Sequence, residues 1–187
     1  MESLLTDGDV SAAAAGSGAA ASRIYRLLSP QVSGYLTARG LEDPEAATQE
    51  VFLTLFEKLP DITGGAQGLR TFAFSIAHAR AVDAARRRAR RPEPAAYDPE
   101  TDLRTSASAE ELVLERAGGD AVGLLAALNP DQREVLALRI VADLPVEQVA
   151  RIMGRSEGSV KQLQRRALGS LRKLVQHRRE EDSYAAR

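Results

Sequence analysis

Apolar residues recur along this chain at helical spacing, in runs separated by proline, glycine and charge. The clearest pair of runs lies near the C-terminal end. Val146, Val149, Ala150 and Met153 fall at i, i+3, i+4 and i+7, one stripe of a helix. Pro145 suits the first helical position, where a missing N–H costs nothing. Gly154 follows as a left-handed cap. Ser156 then serves as N-cap of a second helix, with Glu157 in its first turn. Val160, Leu163, Ala167, Leu171 and Leu174 form that helix's buried stripe. Small Ala150 permits the close approach that a helix-turn-helix needs.

Upstream runs follow the same rules. Residues 23–39 carry Ile24, Leu27, Leu28, Val32 and Leu36 on one face, with Pro30 predicted to kink or interrupt the helix. Asp43-Pro44-Glu45 reads as an N-cap, an N1 proline and an acidic first turn. Its helix runs to Leu59 with Ala47, Val51, Leu55 and Leu59 inside, flanked by Phe52 and Phe56, and Pro60 stops it. Asp61 to Gly68 is predicted as a glycine-rich loop. A third helix spans Leu69 to about Arg91 with Leu69, Phe72, Ile76 and Ala79 as its inner stripe. Further on, Ser108 to Glu111 form a capping box, Asp120 caps a helix with Leu124, Leu125 and Leu128, and Asn129-Pro130-Asp131 opens another that ends near Ala142.

Two stretches lack the period. Residues 1–22 are Ala/Gly/Ser-rich, and low complexity predicts disorder or a frayed helix. Residues 92–107 hold three prolines and several acids, which marks a linker. The expected fold is all-α. Two small helical domains (23–91 and 108–176) are joined by a flexible acidic linker, the C-terminal one a helix-turn-helix, with a charged tail at 177–187.

Composition narrows the chemistry. The chain has 187 residues and no cysteine, so disulfides, thiolate metal sites and cysteine nucleophiles are excluded. Its two histidines, His78 and His177, are far apart in sequence; no metal site, cofactor or catalytic residue is expected. No apolar run approaches the roughly 20 residues of a membrane span. Acidic Glu2, Asp7 and Asp9 replace a basic leader region, so the expected location is cytoplasmic, without membrane insertion. The 25 basic and 26 acidic residues nearly cancel, but they are segregated along the chain. From Gly158 to Arg179 there is no acid, while Lys161, Arg165, Arg166, Arg172, Lys173, Arg178 and Arg179 are cationic. Ser159, Lys161, Gln162 and Arg165 lie off the apolar stripe near the helix start, where a recognition helix reaches base edges. A packed, merely solvated basic helix is the plainer alternative. A second cationic run, Arg86, Arg87, Arg88, Arg90 and Arg91, repels itself unless phosphates face it.

In this order the parts are recognisable. DPEAATQEVFLTLFEKLP (Asp43 to Pro60) and LNPDQREVLALRIVADLPVEQVARIMGRSEGSVKQLQRRAL (Leu128 to Leu168) resemble a bacterial RNA polymerase sigma factor of the extracytoplasmic-function (ECF) group. The resemblance covers about Arg23 to Val175. It implies a non-enzymatic factor that binds core RNA polymerase and directs promoter-specific initiation. It places Gln49, Glu50 and Leu53 against the β′ clamp. It assigns Gln67, Arg70, Phe72, Arg80, Asp83, Arg86 and Arg87 to the −10 element, with the loop at 61–68 capturing a flipped base. It assigns Arg155, Ser156, Ser159, Lys161, Gln162, Arg165 and Arg166 to the −35 element, the second domain resting on the β-flap. An anti-sigma factor is an inherited expectation, as is a monomer away from its partners. The chain departs from the usual pattern at Ala46 and Ala47, at Ala79 where an asparagine is frequent, and at Gln162 and Gln164 in the recognition helix. Those glutamines imply a −35 preference of its own.

Two other readings compete. A stand-alone helix-turn-helix regulator would bind duplex without polymerase. A DNA enzyme would need a nucleophile or carboxylate cluster, and the acids of the first domain are spread along a helix face.

Overall fold

The computed structural model describes residues 4–90 and 124–185, with side chains up to His177. The expected linker at 92–107, the capping box at 108–111, Asp120 and Arg91 lie outside the described residues. Among those described, every regular element is helical: α1 (Asp7–Ala14), α2 (Gly18–Ala38), α3 (Pro44–Glu57), a 3₁₀ turn (Leu59–Asp61), α4 (Gly65–Arg90), α5 (Pro130–Leu136), a π-turn (Ala137–Val141), α6 (Val146–Met153) and α7 (Glu157–Ala185).

The caps form where side chains can satisfy orphan amides. Asp43 accepts from the Ala46 N–H at 2.9 Å, Asn129 from Gln132 at 2.9 Å and Ser156 from Ser159 at 3.2 Å. Pro145 is itself the N-cap of α6, so the helix starts at Val146. Gly154 closes α6 at φ 62°, a left-handed conformation that costs glycine nothing.

Four expectations require correction. Residues 6–22 are ordered rather than disordered: Thr6 and Asp9 make a reciprocal capping box for α1, and α2 already starts at Gly18. α2 runs through Pro30 without interruption; Pro30 is solvent-exposed. The glycine-rich loop is shorter than expected, because Gly65 to Gly68 form the first turn of α4. The inner face of α4 is Leu69, Ala73, Phe74, Ala77 and Ala81, while Phe72 and Ile76 are half-buried and Ala79 is exposed. The face is chosen by what it meets: Phe74 packs edge-on against buried Tyr35, ring centroids 5.7 Å apart at 86°, a favoured aromatic geometry.

α2, α3 and α4 form an N-terminal bundle around Ile24, Leu28, Leu36, Val51, Leu55 and Leu69. α5, α6 and α7 pack around Val135, Leu138, Leu144, Val149, Val160 and Leu163. The two units are in contact: their buried residues join in one apolar cluster, with α2 lying against the π-turn and α4 against α6. No described helix is long and apolar enough to cross a membrane.

Candidate nucleic-acid interface

The contact between the two units is polar at its centre. Glu134, on the buried face of α5, is 7% exposed. Its carboxylate pairs with His78 Nδ1 of α4, meets Arg39 Nη2 of the α2 C-cap at 3.4 Å and accepts from the Tyr35 hydroxyl at 3.4 Å. Arg39 also donates to the Pro130 carbonyl at 3.2 Å. Burial alone would raise the Glu134 pKa. The hydrogen bond from His78 and the charge of Arg39 outweigh it and hold the carboxyl below its ordinary 4.5. Tyr35 is pushed well up by burial and then by the Glu134 charge. A buried carboxylate is tolerable only with such partners.

This contact covers part of the expected −10 surface. Gln67 donates to Gln148 Oε1 of α6 at 2.7 Å, and the Thr71 hydroxyl donates to the same oxygen at 2.5 Å. Arg70 is half-buried and donates to Gln31 Oε1 at 3.0 Å and to the Ala142 carbonyl at 2.9 Å. Phe72 packs against the core with part of its ring exposed. Further along α4, Arg80 pairs with Glu50 at 3.0 Å and Asp83 approaches Arg86 at 3.9 Å. Arg86 and Arg87 are exposed. With about 1.5 Å of rise per residue, Gln67 and Arg86 are roughly 28 Å apart along the helix. The −10 set is therefore two separate clusters, one covered and one open.

The −35 set has a different character. Lys161, Gln162, Arg165 and Arg166 all face solvent on α7, opposite buried Val160, Leu163 and Ala167. Lys161 is 3.9 Å from Glu157 one turn back, an exposed pair of little energetic weight. Arg155 is turned away into an ion pair with Asp131 at 2.5 Å. Ser156 is spent as the cap, and Ser159 is half-buried. Gln164 is half-buried and accepts from Arg139 Nε at 3.4 Å; the Arg139 guanidinium also donates to the Leu144 carbonyl. A polar side chain where an apolar one is usual thus ties α7 to the corner before α6.

On α3, Gln49, Glu50 and Leu53 are exposed on one face, and Leu53 is 72% exposed. Sequence reasoning missed Tyr35, Arg39, His78, Glu134 and Gln148. One signal was present: Glu134 lies one helical turn before Leu138, on the side of the helix that the following apolar run buries. Among the described residues no cluster of His, Cys, Asp or Glu could hold a metal ion.

The chain is similar to known proteins. Residues 24–91 match the model of sigma-70 region 2, and residues 124–173 that of sigma-70, region 4. SigD of Mycobacterium tuberculosis, an ECF RNA polymerase sigma factor, is 33% identical over 183 residues, covering 92% of this chain and 84% of SigD. The chain belongs to the ECF RNA polymerase sigma factors. ShbA of Streptomyces griseus is 32% identical, covering 71% of each protein. BldN of Streptomyces coelicolor is 30% identical over 89% of this chain, which spans 64% of BldN. The solved structure of CnrH in complex with the cytosolic domain of CnrY is similar in fold, with a TM-score of 0.63 at 19% identity, covering 91% of this chain and 97% of that one. As a sigma factor the protein acts with RNA polymerase in promoter-specific initiation. Sigma factors are initiation factors without an enzymatic step of their own. The stand-alone regulator reading is thereby displaced.

Proposed function

We propose that α7 reads the −35 element, that α4 reads and helps open the −10 element, and that the exposed face of α3 docks on the β′ clamp. The observation that carries the reading is the face of α7. Lys161, Gln162, Arg165 and Arg166 stand exposed together on a helix whose other side is anchored by Val160, Leu163 and Ala167. An exposed basic face beside a fixed turn is the arrangement that enters a major groove. Leu53 supports the α3 role, since a largely exposed leucine between Gln49–Glu50 and the helix end invites a partner. Residues 23–91 and 108–176 are proposed as the two working units, with 92–107 as their tether.

The arrangement described is a closed one. Gln67, Thr71 and Arg70 are engaged by the second unit, so strand capture by α4 requires α6 to withdraw. An anti-sigma partner that stabilises the closed arrangement would keep the factor off its promoters. Binding to polymerase would supply the energy to open it, because melting is achieved by binding energy alone. Run-off transcription with core polymerase tests the reading: the purified protein directs initiation from specific promoters. Failure to direct initiation on any genomic promoter would sink it.

A further inference from the structure

The N-terminal segment lies outside the matched region 2, yet it is docked onto the start of α4. Thr6 and Asp9 lock the first turn of α1: the Thr6 N–H and hydroxyl reach the Asp9 carboxylate at 3.0 and 2.7 Å, and the Asp9 N–H reaches the Thr6 oxygen at 3.2 Å. Asp9 also pairs with Arg23 of α2 at 3.0 Å. Val10 and Ala13 are buried, and Leu5 packs against the same cluster. Asp7 turns the other way. Its carboxylate accepts the Ala66 N–H at 2.8 Å, in the first turn of α4. The seat is close-fitting, because a Cβ on Gly65 would collide with that carboxylate, and Gly65 has φ 58°.

The first turn of a helix carries free N–H groups and positive partial charge, which favour an anion. Here the chain supplies that anion itself, at Gly64–Gly68, in the stretch proposed to capture a promoter base. Asp7 places negative charge where a DNA strand must come, while Asp9 is committed to Arg23 and Thr6 and fixes the segment. The hold is light: α1 itself buries only Val10 and Ala13, and Leu4 is 82% exposed. A short segment anchored by so few apolar groups opens far more readily than the bundle beneath it.

We propose that Leu4–Gly16 is a built-in acidic stopper on the strand-capture end of α4, displaced by single-stranded promoter DNA. This rests on the assignment of α4 to the −10 element. It is distinct from the cover provided by Gln148, because it belongs to the N-terminal unit and persists when α6 withdraws. The segment therefore raises the threshold for melting even in the polymerase-bound state, and favours promoters whose −10 strand binds strongly enough to expel Asp7.

The test uses holoenzyme assembled from core RNA polymerase and the full chain, a chain lacking residues 1–16, or Asp7→Asn. The probe is a fluorescent pool of random single-stranded DNA, roughly 12 nucleotides long, read by anisotropy at low and high salt, with core polymerase alone as baseline. The shortened chain is expected to bind the pool about fivefold more tightly than the full chain at low salt. Asp7→Asn, which keeps the acceptor and loses the charge, is expected to fall between them, and high salt narrows the gap. Equal or weaker binding by both variants overturns the stopper and makes the segment a support for the loop. Phe72→Ala separates the underlying assignment. If it loses pool binding while neither N-terminal variant gains, the stopper alone fails; if it loses nothing, the −10 assignment of α4 fails and the stopper with it.

Discussion

The two helices proposed to face DNA in this sigma factor make an instructive pair. α7 offers Lys161, Gln162, Arg165 and Arg166 to solvent, while the N-terminal end of α4 has Gln67, Arg70 and Thr71 hydrogen-bonded to the second unit and Asp7 seated on its first turn. Both helices are built the same way, with an apolar stripe inside and polar groups outside. They differ in what else in the chain competes for the polar face. A duplex reader needs no protection, because duplex DNA presents its groove edges without distortion. A surface that binds unstacked bases would hold any passing single strand, since stacking and charge are sequence-tolerant. On the proposed assignment, covering it until promoter and polymerase are both present would keep that affinity for the right place.

The sharpest way to break this contrast is at Glu134. Glu134→Ala leaves the half-buried Arg39 and His78 without their counter-group, and loss of the buried member of such a network costs about 3 kcal/mol. We expect a lower Tm and, in small-angle scattering, a more extended particle with α4 uncovered. An unchanged scattering profile would mean that the apolar contact alone holds the units closed. Next in size is the open helix. Lys161→Ala or Gln162→Ala should shift the preferred −35 bases, each good base contact discriminating by about 1–3 kcal/mol. A promoter library returning the same preferred sequence would remove α7 from that role. Ser156→Ala removes the α7 cap and should cost about 1 kcal/mol in thermal unfolding. Double replacement Arg86→Ala and Arg87→Ala should weaken promoter binding broadly and reduce the salt slope by roughly 0.9 per lost phosphate contact. A binding titration with the original slope would show that these arginines do not touch DNA.

Acid offers the mildest test. The Glu134 carboxyl is held below 4.5 in the folded chain. Its contribution is therefore complete above that value and is lost as pH falls through the folded pKa. The closed form should keep the Glu134 contribution at neutral pH and loosen below about 4.5, whereas Glu134→Gln should show a flatter response there in scattering or thermal melts.

Much of the helix-turn-helix was legible because its signals are local. Gly154 sits where only a residue free of Cβ is comfortable, and Asn129-Pro130 and Asp43-Pro44 cap through atoms three residues away. The basic face of α7 followed from charge and period alone. The inner face of α4 was misjudged because its apolar residues are spread around the helix: Leu69, Phe72 and Ile76 make as good a stripe as Leu69, Ala73 and Ala77. Tyr35, contributed by α2, settles the choice by meeting Phe74. The order in residues 7–14 was masked by an alanine-rich composition that promises little burial. Val10, Ala13 and the Asp7 seat on Ala66 supply the anchorage, and none of these contacts is visible along the sequence.

What the amino-acid order determined by itself is the list of parts: helices, caps, a turn, cationic faces and the family to which they belong. These depend on neighbours within about one or two helical turns. What only the tertiary structure decided is which parts are open. Glu134 is 99 residues from Tyr35, and Asp7 is 59 residues from Ala66. Contacts at that separation depend on how whole helices pack, where one buried carboxylate or one small side chain sets which surface faces solvent and which is kept covered.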